Sequence, residues 1–171
     1  MKKEFLKFGG YSFLLAFILF AIGLIAGSKL SFPSQQVVGF VVIVSTLIIS
    51  IYFSVKYLRD SFLGGTISFG KALMHGLLIT VFVGLGVAVM DYIYTEFINP
   101  DYMTNYMAFY ENSLKETLST EEFEREKTRI DAIPDYQKSS WYMAFMMYFI
   151  SVFWGFFVSL AMAMILKRKK D

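Results

Sequence analysis

Between Lys71 and Glu96, which mark the ends of residues 69–98, two further ionisable side chains, His75 and Asp91, stand in a stretch otherwise fit for hydrocarbon. Charge inside a membrane is costly and commonly serves proton or cation handling, which makes this pair the first candidate for chemistry. Their spacing limits what they can do together. At ~1.5 Å per helical residue they lie roughly 24 Å apart, near opposite edges of a ~30 Å core, too far for one proton relay. His75 is therefore read as a neutral imidazole bonded to a helix neighbour or reaching toward one face. Asp91 is read as a structural acid, with Lys29, Tyr142 and Tyr148 as its expected outer-leaflet partners. Glu96 and Asp101 follow Asp91 closely and with it form a weak acidic set of the kind a membrane enzyme needs. The acidic run at 121–126 lacks EF-hand spacing and reads as a solvated helix face.

What is absent narrows the chemistry further. The chain has no cysteine, so disulfides, thiol catalysis and cysteine metal sites are excluded. A single histidine rules out a multi-histidine metal site within one chain. Neither G-x-x-x-x-G-K-[ST] nor G-x-G-x-x-G occurs, and Gly64-Gly65 continues into neither pattern. No cofactor is expected.

Composition sets the class of protein that holds these residues. AVILMFWYC make up 56% of the chain and aromatics 19%, more apolar than a soluble domain of this length usually is. Four stretches are long enough to cross a bilayer as helices: about 8–26, 37–57, 69–98 and 141–166. The expected fold class is an all-α integral membrane protein, a single membrane domain over 1–171. It has four transmembrane helices, with an extracytoplasmic amphipathic helical segment at 99–140. A rival reading of the first span, a signal peptide cut at Ala26-Gly27-Ser28, conflicts with the length of its apolar run but stays open.

Small residues at every fourth position should set how these spans meet. Ala72, Gly76, Thr80, Gly84 and Ala88 form one stripe on the third span, and Ser151, Gly155, Ser159 and Ala163 another on the fourth. In lipid such stripes let backbones approach closely. On the second span Thr46, Ser50 and Ser54 share a face, and their hydroxyls are expected to bond to their own helix or to a neighbour. Asn99-Pro100-Asp101 has the composition of a helix start. Tyr102, Tyr106, Phe109 and Tyr110 then mark an amphipathic helix on the headgroups or over the bundle mouth. Ser119 with Glu122 predicts a capping box for a second, charged helix ending before Pro134. Trp141 and Tyr142 are expected interfacial anchors, and 167–170 a basic stop.

Charge gives an orientation. Taken alternately, the N-terminus, the 56–71 loop and the C-terminus carry ten of the 16 Lys/Arg; Lys29 and the long loop carry the rest, diluted by ten acids. The positive-inside rule places both termini in the cytoplasm.

These residues resemble a family of small bacterial membrane proteins known as domain of unknown function 4199. The likeness rests on Ser68-Phe69-Gly70-Lys71-Ala72-Leu73 with Gly76, on Tyr92-Ile93-Tyr94-Thr95-Glu96-Phe97-Ile98-Asn99-Pro100-Asp101, and on residues 155–160 before a basic end. It implies a four-span protein of the bacterial inner membrane and supplies no activity. The functional expectation is a non-catalytic scaffold or accessory subunit of a membrane complex. Its expected partners are the lipid bilayer and a membrane or extracytoplasmic protein, or a second copy, and not nucleic acid. A small oligomeric carrier or channel is the alternative, and an enzyme acting on lipid-linked substrates ranks third.

Overall fold

The computed structural model describes residues 2–168. Lys169 and Lys170 of the basic stop, and the side chains of Lys2 and Lys3, lie outside the described residues. Among the described residues six α-helices run in the order α1 (Lys2–Gly27), α2 (Phe32–Tyr57), α3 (Phe69–Ile93), α4 (Tyr102–Thr117), α5 (Thr120–Asp131) and α6 (Ser140–Leu166). The helical segments Glu4–Gly27, Phe32–Phe62, Phe69–Ile98 and Ser140–Leu166 are each long and apolar enough to cross a membrane. Their outward faces carry exposed Leu14, Ile18 and Ile22 on α1 and Phe145, Phe149 and Phe153 on α6. In water such a belt would promote association; on a multi-pass membrane protein it is the lipid-facing surface.

Local sequence explains where the helices begin. Ser31 precedes α2 in extended backbone, with Pro33 in the first turn, where its missing N–H costs nothing. The Ser68 and Ser139 hydroxyls accept from the amides of Lys71 and Tyr142, capping α3 and α6. At α5 the capping box is complete: Ser119 Oγ accepts from the Glu122 amide, and Glu122 Oε2 accepts from the Ser119 amide at 3.1 Å. The Ser119 hydroxyl and amide hold the Glu122 carboxyl below its ordinary value. Gly64 and Gly65 adopt φ of +63° and +82°, which a Cβ would oppose, and turn the chain from α2 into α3.

Two helix ends depart from expectation. α2 and α3 each run on into a π-helical turn, Leu58–Phe62 and Tyr94–Ile98. In the second, the Asn99 amide donates back to the Tyr94 carbonyl at 2.7 Å, so Asn99 closes α3 instead of opening α4. Its side chain donates to Tyr94 Oη, and α4 starts after Asp101 with no side-chain cap. The first span is longer than its apolar core: α1 includes the basic N-terminal residues from Lys2 onward.

The four long helices form an up-down-up-down bundle with α3 at its centre, packed most extensively on α6, then on α1 and α2. Leu47, Ile51, Ile79, Val83 and Val87 are sealed between them. Buried hydroxyls mostly serve their own helix: Thr46 donates to Val42 O at 2.7 Å, Thr80 to Gly76 O at 2.9 Å and Ser151 to Met147 O at 2.8 Å. Ser50 Oγ is buried without a partner. Where α3 meets α6, a Cβ added at Gly76 would lie 2.9 Å from Ser159 Oγ, and one at Gly84 3.0 Å from the Tyr148 ring. At Gly155 it would collide with the Thr80 side chain. Ala72 and Ala163 are also buried, and Ala88 is half-buried.

Candidate functional site

The bundle has two ends, one, the terminal end, formed by the start of α1 and the end of α6, and the other carrying α4 and α5. At the loop end α1, α2, α3 and α6 enclose a cavity of about 640 Å³ beneath the first turns of α4. That is within the roughly 300–1,000 Å³ of ordinary small-molecule sites. Its walls are mainly apolar: Phe20 and Leu24 from α1, Phe40 and Ile43 from α2, and Met143, Met146, Met147, Ile150 and Trp154 from α6. Polar groups gather toward the roof, where Asp91, Tyr94 and Thr95 of the third span face Tyr102 and Tyr106 of α4, with Gln35, Gln137 and Tyr142 at the rim.

Asp91 is 5% exposed, and its Oδ2 is buried with no hydrogen-bond partner. The sequence-level partners are not bonded to it. Lys29 is exposed in the α1–α2 loop, and Tyr148 packs on Gly84; of the three only Tyr142 shares the cavity. Thr95 spends its hydroxyl proton on the Asp91 backbone carbonyl at 2.9 Å. Burial, with Asp91 and Tyr94 nearby, pushes the Tyr102 phenol above its ordinary value, so its O–H stays intact at neutral pH.

An aromatic clasp holds the roof in place. Phe32, in the first turn of α2, lies 5.8 Å from both Tyr102 and Tyr106 and 5.2 Å from Phe109, centroid to centroid. Tyr94 meets Tyr102 edge-on at 6.1 Å, and Tyr110 stacks on Tyr106. Tyr102 and Tyr106 thus turn inward over the bundle mouth. Trp141 does the reverse: it is 74% exposed and meets Tyr92 at 6.2 Å. Tyr142 is half-buried against Tyr136.

The acids are not brought together. Glu96 is exposed on the π turn and Asp101 is exposed before α4, and neither lines the cavity that Asp91 enters. His75 lies at the terminal end, in a separate cavity of about 270 Å³ with Phe5, Phe8, Ser54 and Tyr57. Its Nε2 is 2.8 Å from Ser54 Oγ, and Phe5 sits edge-on to its ring at 5.5 Å. No group of three or more His, Cys, Asp or Glu side chains arranged to hold a metal occurs among the described residues.

One charged residue of the 56–71 loop is deeply engaged. Arg59 is 6% exposed, forks Asp60 through Nε and Nη2 at 2.6 and 3.1 Å, and donates from Nη1 to Leu166 O at 3.3 Å. Beside it Ile67 and Arg168 exchange two backbone hydrogen bonds of 3.0 Å. The only sequence signal for this contact was an arginine immediately followed by an acid at a span's end.

Compared with known proteins, residues 7–168 match a family model described as "Protein of unknown function (DUF4199)". No curated protein and no solved structure matches the chain significantly.

Proposed function

The chain belongs to the DUF4199 family, and from that premise we propose that it is a non-catalytic scaffold or accessory subunit of a membrane complex. We place it in the bacterial inner membrane as one membrane domain, both termini cytoplasmic, with no cofactor. The observation that supports this reading is the α4–α5 hairpin. Among the described residues, α4 has no fully buried side chain and α5 has one, Phe123. The hairpin is tied to itself by Lys127 and Glu111 at 3.5 Å, and to the bundle by the Phe32 clasp. So charged and exposed a module, held at one end, is suited to present a surface to an extracytoplasmic or membrane partner.

A photo-crosslinking residue at Glu121 or Arg125 should give a discrete protein adduct in intact cells. Lipid adducts alone at both positions would remove this reading. The orientation has its own check. Cysteines at Ser113→Cys and Asp171→Cys should label from opposite sides of the membrane, and labelling of both from outside would refute the both-ends-in topology. An intact mass that includes residues 1–28 decides whether the first span is retained.

The carrier reading is second and draws on one observation, the buried carboxyl of Asp91 on a sizeable cavity. The lipid-enzyme reading is third, because Asp91, Glu96 and Asp101 do not converge.

A further inference from the structure

The cavity at the loop end holds one acid and no base. Among its lining residues there is no Lys, Arg or His, so Asp91 has no counter-charge there. No hydroxyl answers it: Thr95 donates to backbone, Tyr94 Oη accepts from Asn99 Nδ2 at 3.4 Å, and none of the cavity's tyrosines donates to Asp91 Oδ2. A carboxyl in this position is costly as an anion until a proton or a cation joins it. The same cavity is lined by Tyr94, Tyr102, Tyr106 and Tyr142, and tyrosine faces attract organic cations held close to them.

The remaining walls say what else the occupant must carry. Met143, Met146 and Met147 line the cavity below the tyrosines, flexible thioethers that adapt to an irregular apolar guest. Trp154 stands fourteen residues into α6, roughly 21 Å along its axis, so the cavity reaches about the middle of that span. Phe40 and Trp154 line it while remaining 44% and 36% exposed, and their rings meet at 5.1 Å. The cavity thus reaches the lipid-facing surface where Phe40 of α2 meets Trp154 of α6. Anions are disfavoured by the lone carboxyl. A hard divalent ion is ordinarily held by several carboxylate and carbonyl oxygens, and these walls supply a single carboxylate. A plain hydrocarbon chain would fill the volume but leave Asp91 unanswered.

We infer that this cavity binds an amphiphile whose ammonium group pairs with Asp91 among the tyrosines and whose hydrocarbon chain lies along the methionine wall toward Trp154. The site stands independently of any partner of the α4–α5 hairpin. The ammonium can come from an aminophospholipid headgroup or from a free long-chain amine.

The test places the full chain, in a Trp141→Phe background, in phosphatidylglycerol nanodiscs and titrates dodecylamine while following Trp154 fluorescence. Saturable binding is expected, with dodecanol at least tenfold weaker. Asp91→Asn, close in shape to the native residue, should weaken dodecylamine at least tenfold while the ligand-free melting temperature stays unchanged. Nanodiscs containing phosphatidylethanolamine distinguish the sources: competition there identifies the lipid headgroup, and its absence a free amine. Equal binding of dodecanol, or undiminished dodecylamine binding by Asp91→Asn, overturns the inference. Should Asp91→Asn fail to fold, Met147→Phe fills the cavity and keeps the carboxyl; it must abolish saturable binding, and retention would refute the site.

Discussion

Gly155→Ala and Gly86→Ala are each expected to destabilise the bundle by about 1–3 kcal/mol, the usual cost of overpacking, whereas Gly10→Ala should not. The contrast lies in sign as well as size. Replacing a helical glycine by alanine ordinarily stabilises by roughly 0.5–1 kcal/mol, because alanine loses less backbone freedom. That gain applies at Gly10, where an added Cβ meets nothing within 4 Å. At Gly155 the new methyl falls on Thr80, a β-branched side chain with few rotamers. Thr80 is pinned further because its hydroxyl donates to Gly76 O and lies 3.4 Å from Ser159 Oγ. At Gly86 the collision is with the Phe13 carbonyl oxygen, which is backbone and has no rotamer to escape into. In both cases whole helices must move apart, α3 from α6 and α3 from α1. Thermal melting in one uncharged detergent reads the effect, and leucine at either position should abolish folded yield. Combining Gly155→Ala with Thr80→Ala should recover part of the loss, since partners in contact couple. If Gly10→Ala and Gly155→Ala shift the melt in the same direction, close approach at Gly155 is not what holds these helices together.

The parts of this molecule that were legible in the sequence are those decided within one segment. Four long apolar runs have few alternatives to crossing a bilayer, and Ser119 with Glu122 three residues on forms a complete local cap. Stripes of small residues carry less, because spacing announces a close approach without naming what approaches. That Thr80 faces Gly155, while Gly86 instead faces the backbone of α1, depends on the rotation of each helix about its axis. The cavity was invisible for the same reason. Its lining comes from α1, α2, α3, α4 and α6, so no stretch of sequence contains it. Asp91 could be singled out as an intramembrane acid, but its setting among tyrosines required Tyr102 to fold back over the bundle. The Asn99-Pro100-Asp101 reading failed on a competing local preference: the π turn takes Asn99 as the end of α3 before the proline can begin α4. Lys29 was the obvious counter-ion by charge, yet it stands exposed in its loop, where its ammonium stays hydrated.

Arg59→Met should lower stability by about 1.5–3 kcal/mol, the range for a hydrogen bond involving a charged group, and loosen the last turn of α6. The methionine keeps most of the buried stem but removes the fork. What is lost is not chiefly the ion pair, because Asp60 is exposed and water can solvate it once the guanidinium is gone. The larger loss is at Leu166 O, one of the terminal carbonyls that α6 cannot satisfy internally and that Arg59 reaches at 3.3 Å. A cation at a helix C-terminus also meets the negative end of the helix dipole. Together with the Ile67–Arg168 backbone pair, this contact fastens the end of the fourth span to the turn between α2 and α3. Hydrogen exchange should therefore rise at the Lys167 and Arg168 amides, which donate to Ala163 O and Ile67 O, more than at mid-helix amides of α6. Arg59→Lys should not restore protection, since one ammonium cannot fork Asp60 and reach Leu166 at once. Asp60→Asn should be milder than either, because Nη1 keeps its carbonyl. If Arg59→Met melts and exchanges like the native chain, the latch is ornamental, and α6 is held by its contacts with α3 alone.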